Sequence, residues 1–246
     1  MALQFTTAST ASETSGIKCL VYGGAGTGKT VLSATLPSPI LISAEAGVLS
    51  LRKENLERLF GVGHPQVTYD MPMIVVRNVD DLTEAYRWAS SSHEAKQFQS
   101  IGLDSLSEIA EVVLNNAKRQ VKDPRQAYGE LIEKMETLIR YFRDLPGKNV
   151  YMAAKMEPQK DELTGVIRYG PSMPGAKLGA KLPYFFDEVF RLGVNKTPQG
   201  ESYRFLQTQP DLQYEAKDRS GSLAPMEYPF LTAIFNKILG VQNGTA

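Results

Sequence analysis

Eight consecutive residues near the amino terminus have the types and order needed to hold the phosphates of a nucleotide. Gly23-Gly24-Ala25-Gly26-Thr27-Gly28-Lys29-Thr30 matches the pattern G-x-x-x-x-G-K-[ST] between a predicted strand and a predicted helix. The glycines let backbone N–H groups turn toward phosphates without Cβ clashes. We expect Lys29 to reach the β and γ phosphates of ATP and Thr30 to bind Mg²⁺. The alternative is a glycine-rich turn that carries these residues by chance.

Two carboxylates follow apolar runs where they could assist this loop. Asp104 ends the run Ile-Gly-Leu-Asp, and we expect it to hold the magnesium ion directly or through water. Glu45 follows the run PILIS, at the carboxyl end of a strand, where open α/β sheets bind ligands. It could activate the water that attacks the γ-phosphate, whereas a kinase would place its acceptor substrate there. The alternatives are a helix cap for Asp104 and a solvated loop carboxylate for Glu45.

Two cations stand two residues apart late in the chain, in Lys217-Asp218-Arg219. In an extended segment residues i and i+2 point to the same side. Lys217 and Arg219 can therefore meet one triphosphate together, that of a neighbouring subunit. The alternative is an ordinary exposed charged turn.

Two segments are locally basic and are candidates for contact with nucleic acid. They are residues 118 to 125 and the weaker segment 155 to 181, where Tyr169 could stack on a base. The alternative is a solvated charged face. The candidate DNA-binding side chains are Arg119, Lys122, Arg125, Lys160, Arg168 and Lys177.

The elements that position these residues alternate along the chain. The predicted strands are 17–22, 39–43, 73–77, 100–103, 149–154, 186–194 and 202–209. Helical spacing marks 82–89 after Asp80 and Asp81, which can cap a helix, and also 106–117 after Ser105, 131–142 and 230–238. A further helix should start near Gly28. This alternation predicts an α/β fold with a mostly parallel central sheet flanked by helices, followed by late antiparallel strands. Residues 155 to 182 are predicted to form a long loop or mobile hairpin.

Length and composition exclude several classes of protein. The chain has 246 residues, which suits one α/β domain, and we divide it into an arm (1–16), a core (17–240) and a tail (241–246). Equal numbers of basic and acidic residues, 27 each, argue against coating of duplex DNA by bulk electrostatics. With 2 histidines and 1 cysteine we find no spacing that suits a zinc site. No apolar run approaches a membrane helix and the start is polar, so we expect a cytosolic protein without a membrane partner.

The order of these parts resembles the RecA-type recombinase core over roughly residues 16 to 239. Within that group the chain looks like the short phage proteins of the Sak group, which are RecA-like single-strand annealing proteins. The resemblance rests on the phosphate loop, Glu45 after the second strand, Asp104-Ser105-Leu106, the glycine-rich segment after NVYMAA, and Lys217-Asp218-Arg219.

The resemblance implies functional roles for several residues that the spacing of apolar residues cannot indicate. Glu45 would be the catalytic base, residues 119 to 129 and 156 to 176 the two DNA-facing loops, and Lys217 with Arg219 the fingers that act across subunits. The implied partners are single-stranded DNA, further copies of the chain in a ring or filament, and a phage single-strand binding protein. A phage-encoded chain would act in the cytoplasm of its bacterial host. Phe5-Thr6-Thr7-Ala8 looks like the F-x-x-A segment by which RadA-type recombinases hook the next subunit.

The chain departs from this family in two places. Ala154-Lys155 stands where RecA proteins commonly have a glutamine that senses the γ-phosphate. The chain also shows no separate DNA-binding domain, which favours annealing over full strand exchange. Three functions therefore compete: an ATP-dependent single-strand annealing protein, a small-molecule kinase, for which no arginine-rich lid is visible, and a module that uses ATP only to fix its shape for a replication or packaging partner.

Overall fold

The computed structural model describes residues 7, 10, 15–45, 48–160 and 165–241, with backbone alone at residues 124 and 176. The segment Phe5–Ala8 of the predicted subunit hook lies outside these residues, apart from Thr7.

Within the described residues, one ten-stranded sheet runs through the molecule. The strands are β1 Lys18–Gly23, β2 Pro39–Ser43, β3 Met73–Val75, β4 Ser100–Asp104, β5 Asn149–Lys160, β6 Ile167–Ser172, β7 Glu188–Lys196, β8 Ser202–Gln207, β9 Lys217–Asp218 and β10 Met226–Glu227. Strand β5 lies between β1 and β4. The strand order is β10-β8-β7-β1-β5-β4-β2-β3, while β6 pairs with β5 and β9 pairs with β7. All pairings within one group of strands are parallel; the group consists of β1, β2, β3, β4, β5 and β7. The remaining strands, β6, β8, β9 and β10, pair antiparallel with their neighbours.

Helices cover both faces of the sheet, which confirms the predicted architecture. Strands β1, β2 and β4 are buried along their whole length, as expected for parallel strands packed on two sides. The helices are α1 Lys29–Ser33, α2 Lys53–Phe60, α3 Val79–Ser91, α4 Leu106–Gln120, α5 Pro124–Arg143, α6 Ala176–Lys181 and α7 Leu231–Ile238. Short 3₁₀ turns lie at Val48–Leu51, Glu94–Gln97 and Leu182–Phe185.

The core is divided by the sheet. On one face α3, α4 and α5 pack on strand residues such as Leu20, Ile42 and Met152. On the other face α1 and α7 pack on the alternate residues of the same strands, among them Val21 and Ala153. This alternation follows from the two-residue period of a strand.

Two helix starts show how the loops before them are fixed. Ser105 Oγ accepts from the Glu108 N–H at 3.4 Å, so Ser105, and not Asp104, caps α4. The cap of α3 differs from the prediction, because Asn78 Oδ1 accepts from the Asp81 N–H at 2.9 Å. Asp81 instead accepts from the Arg77 N–H at 2.8 Å, one residue upstream of the cap.

The segment predicted as a long loop or hairpin is a hairpin followed by a helix. β5 continues past residue 154 to Lys160 and returns as β6, with Lys155 opposite Ser172 and Lys160 opposite Ile167. The first predicted DNA loop, residues 119 to 129, is wrong as a loop. Only residues 121 to 123 lie between α4 and α5, because Asp123 caps α5 through the Arg125 N–H at 2.9 Å.

Candidate active site

The phosphate loop joins β1 to α1 at the carboxyl edge of the sheet. Gly26 and Gly28 have φ of 73° and 105°, backbone angles that L side chains rarely adopt. No N–H of residues 24 to 28 donates to a backbone carbonyl in the ranges that the structure describes. A row of amide donors without backbone partners suits the oxygens of a polyphosphate.

Lys29 is held inside this loop by the loop's own carbonyl groups. Its Nζ donates to Gly23 O and Gly24 O, both at 2.9 Å. Burial lowers the pKa of Lys29, while the nearby carboxylates of Asp104 and Glu45 act in the opposite direction. The ammonium group is thus positioned where a phosphate oxygen could replace a carbonyl as its partner.

The fold places Thr30 of α1 next to Asp104 at the end of β4. Thr30 Oγ1 donates to Asp104 Oδ2 at 2.7 Å, across 74 positions of sequence. Burial raises the pKa of Asp104 to about 6, and Glu45 adds to this, whereas the Thr30 hydrogen bond and Lys29 oppose it. One hydroxyl and one carboxylate side by side fit Mg²⁺, which keeps several waters and takes few protein ligands.

The raised pKa of Asp104 makes a prediction about stability. The folded state binds the proton more tightly than the unfolded chain, so stability is lost as pH rises from about 4 to about 6. Asp104→Asn keeps an oxygen acceptor for Thr30 but cannot ionise. Above pH 6, without nucleotide or Mg²⁺, we expect the variant to be more stable by about 1–3 kcal/mol.

Urea unfolding at pH 7.5 and pH 4.5 measures this effect. The advantage of the variant should shrink at the lower pH, because the wild-type carboxyl is then largely protonated in the folded state. An Asp104→Asn protein that is less stable than wild type at pH 7.5 would contradict the account.

Glu45 lies beside the same edge, two residues beyond β2. Ser105 Oγ donates to Glu45 Oε1 at 2.7 Å, and the strand register places Ser43 next to Asp104. The Ala44 N–H donates to Asp104 O at 3.1 Å, which fixes the backbone just before Glu45. The predicted base, the predicted magnesium ligand and the phosphate loop therefore lie together.

Two residues of the site were not predicted from sequence. Tyr151 lies buried in β5, and its hydroxyl donates to Lys29 O at 2.8 Å, which anchors the start of α1. Arg204 of β8 reaches the loop from the other side, where its Nε donates to Thr27 O at 2.8 Å. Neither residue belongs to a recognisable motif, and their contacts span 122 and 177 positions of sequence.

A largely apolar cavity of about 340 Å³ opens directly beside the phosphate loop. Its walls come from α1, the end of α2, β8 and the segment before α7. A cavity with aromatic walls next to a phosphate loop is suited to a nucleoside. The residues that line it include Gly28, Val31, Phe60, Tyr203, Arg204 and Tyr228.

Lys217 and Arg219 lie near the amino ends of the parallel strands, opposite the carboxyl ends where the phosphate loop lies. β9 pairs with the start of β7, where Asp218 is opposite Glu188, and Glu188 is in register with Cys19 of β1. Cys19 precedes the phosphate loop by four residues, about 13 Å along a strand. Lys217 Nζ donates to Pro183 O at 2.5 Å, and Arg219 pairs with Asp187 at 2.9 Å. Neither cation is placed next to the phosphate loop of its own chain.

The predicted DNA-binding side chains are exposed and come from two regions. At the α4–α5 junction, Lys118 lies over the Tyr128 ring, 5.7 Å from its centroid. A Cβ at Gly175 would lie 3.5 Å from Tyr128, so the junction adjoins the start of α6, which carries Lys177. Lys160 and Arg168 lie instead toward the end of the hairpin. Tyr169 is stacked on Tyr214 with ring centroids 5.4 Å apart, so one of its faces is covered.

A comparison with protein families identifies the family to which the chain belongs. The family model described as the AAA domain matches residues 15–220. The chain belongs to the AAA domain family. The matched range of this AAA domain includes the phosphate loop, Glu45, Asp104, Lys217 and Arg219. The sequence-based prediction of a P-loop ATPase core is confirmed at the level of this family.

Further comparisons place the AAA domain among other proteins. No curated protein matches it. Among solved structures it is similar to a KaiC-like protein from the hyperthermophilic archaeon Pyrococcus horikoshii OT3, with 18% identity, a TM-score of 0.42, and coverage of 78% of this chain and 77% of that chain. In the described ranges of the AAA domain, no helix is long and apolar enough to cross a membrane.

Proposed function

We propose that this AAA domain hydrolyses ATP in the presence of Mg²⁺ and uses the nucleotide to bind and anneal single-stranded DNA in phage recombination. The observation that carries the first half is the convergence of Lys29, the Thr30–Asp104 pair and Glu45 at one edge of the sheet. The order of these parts and the likeness to the Sak group support the second half.

Each residue has a distinct task in hydrolysis. The amides of residues 24 to 28 and Lys29 hold the phosphates, and the apolar cavity takes the nucleoside. Thr30 and Asp104 would hold Mg²⁺, which neutralises phosphate charge when bound. Glu45, oriented by Ser105, accepts a proton from the attacking water. A bond forms between the water oxygen and the γ-phosphorus, the bond to the bridging oxygen breaks, and the products are ADP and phosphate.

Contact with DNA is proposed for the exposed basic residues of the α4–α5 junction, α6 and the hairpin. A chain with 27 basic and 27 acidic residues has no bulk attraction for DNA, so such contact must be local. The hairpin is the extension of β5, which adjoins the phosphate loop through β1. Nucleotide binding and DNA contact would then share one strand.

ATP turnover measured with and without a single-stranded oligonucleotide tests this function. We expect stimulation by DNA and tighter DNA binding with ATP. Arg119→Glu/Arg125→Glu and Lys160→Glu/Arg168→Glu should each weaken DNA binding by about tenfold or more, because several phosphate contacts are reversed in charge. Arg87→Glu/Lys96→Glu, at exposed positions elsewhere, is the matched control.

The outcomes separate the competing functions. DNA binding that is unchanged in both basic-segment variants would refute the proposed DNA surface. Turnover that ignores DNA but responds to a metabolite acceptor would indicate a kinase. Negligible turnover with and without DNA, together with ATP binding, would indicate a nucleotide-dependent module for a protein partner.

A further inference from the structure

The two proposed finger residues lie on and beside a strand that is held by few backbone contacts. β9 consists of Lys217 and Asp218, which pair with Val189 and Glu188 at the start of β7. A ladder of two residue pairs is marginal by itself. The position of Lys217 and Arg219 therefore depends on side-chain contacts as well.

Asp218 organises the backbone that follows it. Its Oδ1 accepts from the Ser220 hydroxyl at 2.6 Å and from the Gly221 N–H at 3.0 Å, and its Oδ2 accepts from the Leu223 N–H at 3.1 Å. Burial alone would raise the pKa of Asp218, but these hydrogen bonds hold it below its usual value. Asp218 is thus an ionised carboxylate that ties residues 217–223 together, and we call these residues the finger segment.

Glu188 places a second carboxyl group opposite Asp218. Glu188 is only 1% exposed, and its side chain lies on the face of β7 that carries Phe190, which packs in one cluster with α7. Its Oε1 accepts from the Ser220 N–H at 3.3 Å. Its Oε2 has no hydrogen-bond partner in the ranges that the structure describes. A buried polar atom without a partner is costly, so this oxygen needs a cation or a proton.

The cations near Glu188 are bonded elsewhere. Besides Asp218, the charged and titratable side chains on the elements around Glu188 are Lys18, Cys19, Asp187, Lys217, Arg219 and Lys237. The partners of the cations are Leu145 O and Lys148 O for Lys18, Pro183 O for Lys217, Asp187 for Arg219 and Glu227 for Lys237. In the described part of the chain, no group of three or more histidine, cysteine, aspartate or glutamate side chains could hold a metal ion. A proton is the partner that remains.

The proton belongs to Glu188 rather than to Asp218. Burial raises the pKa of Glu188 to about 7, and the carboxylates of Asp218 and Asp187 act in the same direction, whereas the Ser220 N–H opposes them. Two ionised carboxylates cannot hydrogen-bond to each other, so a bond between Glu188 and Asp218 requires one proton. Asp218 already accepts from three donors, which favour its ionised form.

We infer that Glu188 is a positioning residue, which docks the finger segment on β7 by donating a hydrogen bond from its carboxyl group to Asp218. The only chemical change is the exchange of one proton with solvent. As pH rises through about 7, Glu188 loses this proton, the two carboxylates repel each other, and the finger segment opens more often. The importance of this docking for turnover rests on the proposed function, in which Lys217 and Arg219 act on the ATP of a neighbouring subunit.

Hydrogen–deuterium exchange in peptides from the finger segment, measured by mass spectrometry, tests the inference. Wild type is compared with Glu188→Gln at the same pH, so the intrinsic effect of pH on exchange cancels in the ratio of the two rates. Glutamine keeps the size of the side chain and offers an N–H to Asp218 at every pH. We expect the wild-type rate, divided by the variant rate, to rise about tenfold from pH 6 to pH 8.5. This rise follows from a pKa of about 7 in the docked state and an ordinary value in the open state.

Glu227→Gln is the matched control, since Glu227 is another buried glutamate on a two-residue strand and pairs with Lys237. It should keep the rise seen in wild type. Wild type alone supplies a second measurement that does not depend on the folding of Glu188→Gln. After normalisation to the unfolded chain, the rise should be present in the finger segment and absent from α5. A flat ratio, or an equal rise in α5, would overturn the inference while the proposed function stands.

ATP turnover of wild type and Glu188→Gln at both pH values tests the proposed function separately. Exchange in the finger segment is measured without ATP and decides the docking role of Glu188 by itself. No turnover by either protein at either pH would overturn the proposed function, and the exchange ratio would still support or overturn the docking.

Discussion

Glu45→Gln should lower ATP turnover by about 10²–10⁴-fold and leave ATP affinity within about threefold. Glutamine keeps an oxygen acceptor for the Ser105 hydroxyl, which contacts Glu45 at 2.7 Å, so the local geometry is retained. The amide cannot take a proton from water at neutral pH. Turnover by phosphate release and affinity by competition with a fluorescent ATP analogue give the two numbers separately.

The matched control for this change is Glu84→Gln, at an exposed position on α3. It should alter neither turnover nor affinity. Ser105→Ala should fall between wild type and Glu45→Gln, because it removes the group that orients the base but leaves the carboxylate. Undiminished turnover in Glu45→Gln would mean that another group activates the water.

Lys29→Met should weaken ATP binding about 100-fold or more and reduce turnover to background. Methionine has nearly the length of lysine and lacks the charge that two carbonyl groups of the loop hold in place. Lys18→Met is the matched control, because Lys18 is a buried lysine of β1 whose Nζ also donates to a backbone carbonyl, Lys148 O at 2.6 Å. We expect Lys18→Met to cost stability and to spare ATP affinity, and equal affinity in both variants would refute the role of Lys29.

A mixture of two inactive variants tests the proposed action of Arg219 across subunits. Arg219→Ala should keep its own ATP binding but lose turnover. Mixed with Lys29→Met, it should regain part of the turnover, because a Lys29→Met subunit can offer its intact Arg219 to a neighbour. Lack of recovery in a mixture that co-assembles by light scattering would exclude this role.

The parts of the site that sequence predicted are those with a local signal. The phosphate loop is one continuous motif, and Asp104 and Glu45 both follow apolar runs that form strands as predicted. Since the carboxyl ends of neighbouring parallel strands meet at one edge, their convergence followed from the fold class. The contacts of Ser105, Tyr151 and Arg204 depend on side-chain positions across neighbouring elements, for which one sequence carries no pattern.

The errors have physical causes too. The family resemblance implies a loop at residues 119 to 129, whereas Asp123 before proline is a helix-start signal, with proline tolerated in the first turn. Strands β9 and β10 have two residues each, too short to show a period. Sequence alone leaves the extension of β5 beyond Ala154 open between a loop and a hairpin, because its polar half leaves the core and lacks the apolar run that marks the first half as a strand.

The separation of the phosphate loop from Lys217 and Arg219 limits how copies can assemble. Across a two-fold axis two copies would exchange fingers reciprocally, each loop facing the partner's Lys217 and Arg219, and assembly would stop at a dimer. Head-to-tail contacts would instead join the loop of one copy to the fingers of the next, repeated around a ring or along a filament. An open filament always leaves one terminal loop uncovered. Its activity per subunit would rise with length, whereas a closed ring would show full activity at a single size.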